Sequence, residues 1–134
     1  MLYLASNTRP DISFAIHQCA QFTHNTKVSH DTSVKRICSY LQGTNNNGLV
    51  FNPSKEVVVG YYAEADFAGL WGHENPQDPI CARIRTGFLV TFSNCPLLWV
   101  SKIQTDIAIS TLHSEYVALS HSVRALLPLK IHIK

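Results

Sequence analysis

A chain of 134 residues has room for one average domain, or for one small unit joined to part of another. Hydrophobic residues at 46% and charged residues at 15% exclude a disordered chain, and a formal charge of +2 is too small to mark a dedicated nucleic-acid binder on electrostatics alone. No apolar run approaches the ~18 residues of a membrane span and the N-terminus MLYLASNTRPDIS lacks a signal-peptide pattern, so an intracellular setting (cytoplasm or nucleus) with no membrane partner is expected.

The first helical pattern opens at Pro10-Asp11, where Ile12, Ile16, Cys19 and Phe22 recur at i, i+4, i+7 and i+10 to make one apolar stripe. It fades at Thr23-His24-Asn25. A second helix is predicted to start near Ser29 as its cap, with Val34, Ile37, Cys38 and Leu41 on the buried face. Asp31 and Lys35 pair at i,i+4 on its exposed side, Gly43 supplies a C-terminal stop, and Asn45 to Gly48 (NNNG) is a loop. Two amphipathic helices with a short link predict a helical hairpin over residues 11–42.

After Asn52-Pro53-Ser54 the texture changes to strands. Val57–Glu64 is rich in β-branched and aromatic residues, and Leu70 to Pro79 is turn-rich and polar. Thr86–Ser93 alternates Phe88, Val90 and Phe92 on one face, Asn94-Cys95-Pro96 reads as a tight turn, and Leu97–Lys102 is a third strand, which together predict an antiparallel hairpin. From Ser110 the period becomes helical, with Leu112, Tyr116, Leu119, Val123 and Leu126 as the apolar stripe and Pro128 as the terminator. The tail KIHIK alternates like a short strand. There are no internal repeats.

The chemistry available is narrow. Four widely spaced cysteines (Cys19, Cys38, Cys81, Cys95) contain no CxxC pair, and the seven histidines lack close ligand spacing, which argues against zinc and for reduced thiols. The acids are more pointed. In GYYAEADFAG, Glu64 and Asp66 lie two apart on a strand and so share one face, and Glu115 lies in the first turns of the last helix beside its apolar stripe. A β-β-β-α order with an acid on strand one and another on the following helix is the layout of a ribonuclease H core, although acids at helix N-termini are also common for dipole reasons.

TRPDISFAIHQCAQF, SHDTSVKRICSYLQGTNNNGLVF, EADFAGLWG, RTGFLVTF, CPLLWVSKIQT and ISTLHSEYVALS follow one another in this order. Together they resemble the Pol polyprotein of copia-type retrotransposons, from the end of reverse transcriptase into ribonuclease H, over about residues 3–130. The resemblance implies an α/β chain: a reverse transcriptase thumb- or connection-like helical hairpin in residues 1–52, then the N-terminal part of a ribonuclease H-like domain in 57–127, then a divergent tail in 128–134. The second part would be a three-stranded antiparallel sheet plus a helix.

The implied family activity is hydrolysis of the RNA strand of an RNA–DNA hybrid, with Mg2+ or Mn2+ ions about 4 Å apart held by carboxylates. Matched residue by residue, Glu64 stands where the family's D-A-D-[FW]-A-G has its leading aspartate ligand, Asp66 matches the second aspartate, and Glu115 matches the helix glutamate. Glu64, Asp66 and Glu115 are therefore the candidate catalytic and metal-binding residues. The aspartate-to-glutamate change moves the leading carboxylate by about 1 Å, a displacement that can cost ~100-fold in such a site. The family's remaining aspartates have no match in this chain, so no activity of the chain by itself is expected. His113 stands where a Glu would complete a capping box with Ser110.

Lys27, Lys35 and Arg36 are candidates for contact with a nucleic-acid backbone, as in a thumb, or for a solvated helix face. Arg83, Arg85 and Lys102 are candidates for the hybrid-binding side of the sheet. Trp71 and Trp99 read as core or sheet-face packing in preference to base stacking. The implied partners are an RNA–DNA hybrid or other nucleic acid and the missing Pol regions. The alternatives are a non-catalytic nucleic-acid-binding remnant, or an unstable product of a decayed element whose apolar Val57–Tyr62 edge promotes aggregation.

Overall fold

The computed structural model describes residues 1–67, 83–105 and 108–132. Trp71, Cys81 and the turn-rich 70–79 stretch lie outside the described residues. The chain divides into two compact units, Met1–Phe51 and Asn52–Lys134.

The first unit holds helix α1 (Leu2–Asn7), a 3-10 turn (Pro10–Ile12), α2 (Ser13–Ala20) and α3 (Val28–Gly43). Helix α1 has no counterpart in the sequence reading, which begins the helical pattern at Pro10. Its Ala5 joins Ile12, Ile16 and Ile37 in a buried cluster, with Cys19 and Leu41 packed against it. The predicted stripes on both longer helices therefore meet, and the thiol of Cys19 is pushed up by this burial.

Ser29 is not the cap of α3. The cap is Lys27, in an extended conformation, whose N–H donates to His30 Nδ1 at 3.1 Å, while the Ser29 carbonyl accepts from Ser33 inside the helix. The other end of α3 is clamped. Arg9 donates to both Asp11 oxygens (3.0 and 2.8 Å), to the Thr44 carbonyl (3.0 Å) and to Thr44 Oγ1 (2.8 Å), and Tyr40 donates to Asp11 at 2.9 Å. A cation placed on a carbonyl at a helix C-terminus complements the dipole as well as the hydrogen bond.

In the second unit, strands β1 (Val59–Asp66), β2 (Arg85–Phe92) and β3 (Cys95–Ile103) form an antiparallel sheet in the order β1-β2-β3, and helix α4 (Thr111–His132) packs on it. The hairpin turn is Ser93-Asn94, both at positive φ (47° and 67°), in place of the predicted Asn94-Cys95-Pro96. Two consecutive positive φ values match the right-handed twist of a two-residue hairpin, and Asn tolerates them better than most residues. Pro96 is drawn into β3, opposite Thr91 beside a register shift, on a strand with a free side where its missing N–H costs no ladder bond. Strand β1 sits two residues later than predicted.

Helix α4 departs most from its sequence pattern. The residues seated on the sheet are small: Ser114, Ala118 and Ser122 are each 0% exposed, and Ala118 packs with Ala65, Ile84 and Ala108. Most of the expected stripe points outward, with Leu112 65% and Tyr116 63% exposed and Leu119 and Val123 also exposed, while Leu126 is half-buried. Small residues at i, i+4 and i+8 let the helix backbone lie close to β1, and hydrogen bonds then hold it. Tyr61 OH donates to Ser122 Oγ, and Ser122 donates to the Ala118 carbonyl at 2.6 Å. At the helix start, Gln104 donates to Thr86 Oγ1 (2.9 Å) and the Ser114 carbonyl (3.0 Å), and Ser110 caps by accepting from the His113 N–H at 3.1 Å. Pro128 lies inside α4, which continues through part of the KIHIK tail, so neither the predicted stop nor the predicted strand is found there. A single missing N–H removes one intrahelical bond and does not by itself end a helix.

Candidate functional site

Strand alternation decides where the acids go. Tyr61, Ala63 and Ala65 face α4, through the Tyr61–Ser122 bond and the Ala65–Ala118 contact. Tyr62, Glu64 and Asp66 are therefore on the opposite face of the sheet, all three exposed. Glu115 is on the helix-bearing side, where it borders a shallow hollow with Ala63, Leu112, Tyr116 and Leu119. The structure thus brings Glu64 and Asp66 together and leaves Glu115 across the sheet from them. Among the described residues, no three His, Cys, Asp or Glu side chains assemble into a group that could hold a metal ion. Two metals 4 Å apart need carboxylates converging from several elements. The described donor set does not fit that arrangement.

The register adds a basic residue to the acid face. Glu64 stands opposite Gly87, and Asp66 stands opposite Arg85. Directly opposed residues in an antiparallel pair have Cβ atoms roughly 5 Å apart on one face. Arg85 is only 7% exposed, and its Nη1 donates to Ser101 Oγ at 3.2 Å. Burial pushes the Arg85 guanidinium below its ordinary value, and the negative charge of Asp66 opposes that shift. Beside it, a Cβ built on Gly87 would meet nothing within 4 Å, so the floor next to Glu64 is open.

The chain is 35% identical over 130 residues (97% of the chain) to the retrovirus-related Pol polyprotein from transposon TNT 1-94 of Nicotiana tabacum. It is 32% identical over 120 residues to the corresponding polyprotein from transposon RE1 of Arabidopsis thaliana. It is also 32% identical over 124 residues to secreted RxLR effector protein 161 of Plasmopara viticola. The chain is therefore similar to a short segment of retrovirus-related Pol polyproteins from transposons. It spans about 9% and 8% of the length of the two plant polyproteins and 82% of the effector protein. No family model and no solved structure matches it.

Within the second unit, the candidate cations Arg85 and Lys102 do not share one face of the sheet. Arg83 is exposed just ahead of β2, and Lys102, also exposed, pairs with Thr86 and so lies on the helix-bearing face, opposite to Arg85. Lys35 is engaged with Asp31 at 2.7 Å, and Arg36 is exposed on the same helix in the other unit. Trp99 is half-buried opposite Leu89, which fits packing across the sheet. Among the described residues, no helix is long and apolar enough to cross a membrane.

Two features of the site escape a reading of the sequence. The Asp66–Arg85 opposition depends on the β1–β2 register, and no tight turn joins those strands to reveal it. The Gln104 joint between β2, β3 and α4 had a signal, since Gln104 belongs to the W-x-SK-x-Q string, but nothing in one strand shows which helix it will meet.

Proposed function

We propose that the chain is the junction of the reverse transcriptase and ribonuclease H regions of a transposon Pol polyprotein, and that by itself it does not hydrolyse RNA. The names of the plant relatives support the Pol assignment, and the order of the recognisable strings supports the junction. The observation that carries the lack of hydrolysis is the separation of Glu64 and Asp66 from Glu115 by the thickness of the sheet. In-line attack on a phosphodiester needs a water activated on one metal and a leaving oxygen held by another, both fixed by the same carboxylates.

The test is incubation of the purified chain with an end-labelled RNA–DNA hybrid in Mg2+ and, separately, in Mn2+. No cleavage above buffer is expected. Cleavage that disappears on Glu115→Ala would refute the proposal. A hybrid-binding role without cleavage is a separate outcome of the same material, read as salt-dependent retention of the labelled hybrid. With Arg85 and Lys102 on opposite faces, at most a shallow salt dependence is expected, because few phosphates can be neutralised at once.

A further inference from the structure

We propose that the open edge of β1, with the apolar flank of α4 beside it, is an interface for a second copy of this chain, paired antiparallel about a two-fold axis at Ala63. Among the described residues the sheet order is β1-β2-β3, so β1 is bonded on one side alone. The Ser93 N–H donates to the Val58 carbonyl, so Val58 and the even-numbered residues after it aim their backbone groups at β2. Tyr61, Ala63 and Ala65 therefore aim theirs outward. The side chains of these three residues face α4, which packs chiefly on β1. On that side Leu112, Glu115, Tyr116 and Leu119 border a hollow with Ala63 and with no described residue of β2 or β3. The flank thus leans toward the open edge, along which Val58, Val59, Tyr62 and Phe67 are also exposed.

The distribution of charge on β1 selects a copy of the chain as the occupant. Opposed residues in an antiparallel pair share a face, with Cβ atoms roughly 5 Å apart, and like charges there destabilise. A two-fold at Ala63 sets Tyr62 opposite Glu64 of the second copy, Gly60 opposite Asp66, and Val59 opposite Phe67. No acid then meets an acid. Moving the axis to Glu64 would oppose Glu64 to itself, and moving it to Ala65 would oppose Glu64 to Asp66, so the two carboxylates exclude those registers. The axis residue is small, which lets the two α4 flanks approach each other across it, and an isologous pairing closes at two copies. Glu115 of each copy borders the hollow beside the axis, and that like-charge pair keeps the association weak, at about 10–100 µM.

The experiment is sedimentation velocity of the full chain over a range of concentrations, with the fold followed by circular dichroism. Wild type is expected to be monomeric near ~1 µM and mostly dimeric by ~200 µM. Ala63→Pro removes an N–H that points away from β2, so it should spare the β1–β2 ladder and weaken the dimer at least ~10-fold. If Ala63→Pro does not fold, Leu119→Glu on the exposed flank replaces it, with the same loss expected. The register has its own readout. Tyr62→Lys places a cation opposite Glu64 of the second copy and Tyr62→Glu an anion, twice in each dimer, so the lysine variant should dimerise ~10-fold more tightly than the glutamate variant. A wild-type mass that climbs past the dimer would overturn the proposal, as would equal affinity of the two Tyr62 variants. So would a folded Ala63→Pro or Leu119→Glu as dimeric as wild type. A wild type still monomeric at ~200 µM would overturn it too, and would leave the groove to a strand of a different chain.

Discussion

The reversal of helix α4 makes a sharp prediction, because its apolar pattern and its packing favour opposite outcomes. Ala118 is fully buried against Ala65, Ile84 and Ala108, and Leu112 is 65% exposed. Replacing Ala118 by Leu inserts three carbons where the helix and β1 already touch, and overpacking of this kind costs about 1–3 kcal/mol. Removing Leu112 should cost far less. Full burial of a leucine is worth about 1.5–3 kcal/mol, and with roughly a third of it covered, Leu112→Ser should cost about 0.5–1 kcal/mol. Both tryptophans, Trp71 and Trp99, belong to the Asn52–Lys134 unit, so urea unfolding followed by tryptophan fluorescence reports that unit selectively. The midpoint should fall clearly for Ala118→Leu and only slightly for Leu112→Ser, at unchanged slope. If Leu112→Ser and Tyr116→Ser each cost ~3 kcal/mol while Ala118→Leu is silent, α4 faces the sheet with its leucines and the packing described above is wrong.

Three further changes test other joints. Arg9, with help from Tyr40, holds the Asp11 carboxyl at about 2 against an ordinary 3.8, so the clamp is in force above pH ~4 and is lost as pH falls through about 2. Because the Asp11 side chain is 38% exposed, screening should reduce its worth to about 1 kcal/mol. Wild type should therefore exceed Asp11→Asn by that amount at pH 7 and by almost nothing near pH 1.5, read by far-ultraviolet circular dichroism. Asn94→Val puts a β-branched residue at φ 67° and should cost about 1–2 kcal/mol in the same urea assay, whereas Asn94→Gly should be close to neutral. Tyr61→Phe removes the hydroxyl that reaches Ser122 and should cost about 1 kcal/mol, since Ser122 keeps its bond to the Ala118 carbonyl.

How far these arrangements could be read from the chain depended on whether the deciding contact was local. Strand β2 was legible to within one residue, because Phe88 and Val90 alternate over a continuous stretch and a turn follows. Strand β1 was displaced because Val57 and Val58 have the composition of a strand, yet β2 ends opposite Val59 and the hairpin turn begins there, with the Ser93 N–H donating to the Val58 carbonyl at 2.8 Å. The face of α4 was misread for a specific reason. Large apolar residues at i, i+4 and i+7 usually mark a core face, but the distance between a helix and a sheet is set by whichever residues lie between them. Here Ser114, Ala118 and Ser122 do, and their own i, i+4, i+8 spacing was visible in the sequence. The Arg9 clamp joins residues 35 apart, which no local period can reveal.

The strings that make the chain recognisable converge on one joint, and that joint is structural. Ala65 from EADFAG packs on Ala118 from the last helix, while Gln104 from W-x-SK-x-Q ties Thr86 of RTG to Ser114 of the SEY segment. In the first unit the same holds, since Arg9 and Asp11 of TRPDI grip Tyr40 and Thr44 of YLQGT. Each of these residues is constrained by a partner on another element, so losing one leaves a buried donor, acceptor or cavity at a cost of about 1–3 kcal/mol. Glu64 is under no such constraint. It is exposed, faces a glycine across the ladder, and tolerates an extra methylene at no packing cost. Similarity to the Pol polyproteins can therefore persist on the face that holds the fold together while the opposite face changes its charge balance. Residue-level likeness at the joint is evidence about architecture, and the chemistry has to be judged from where Glu64, Asp66 and Glu115 lie.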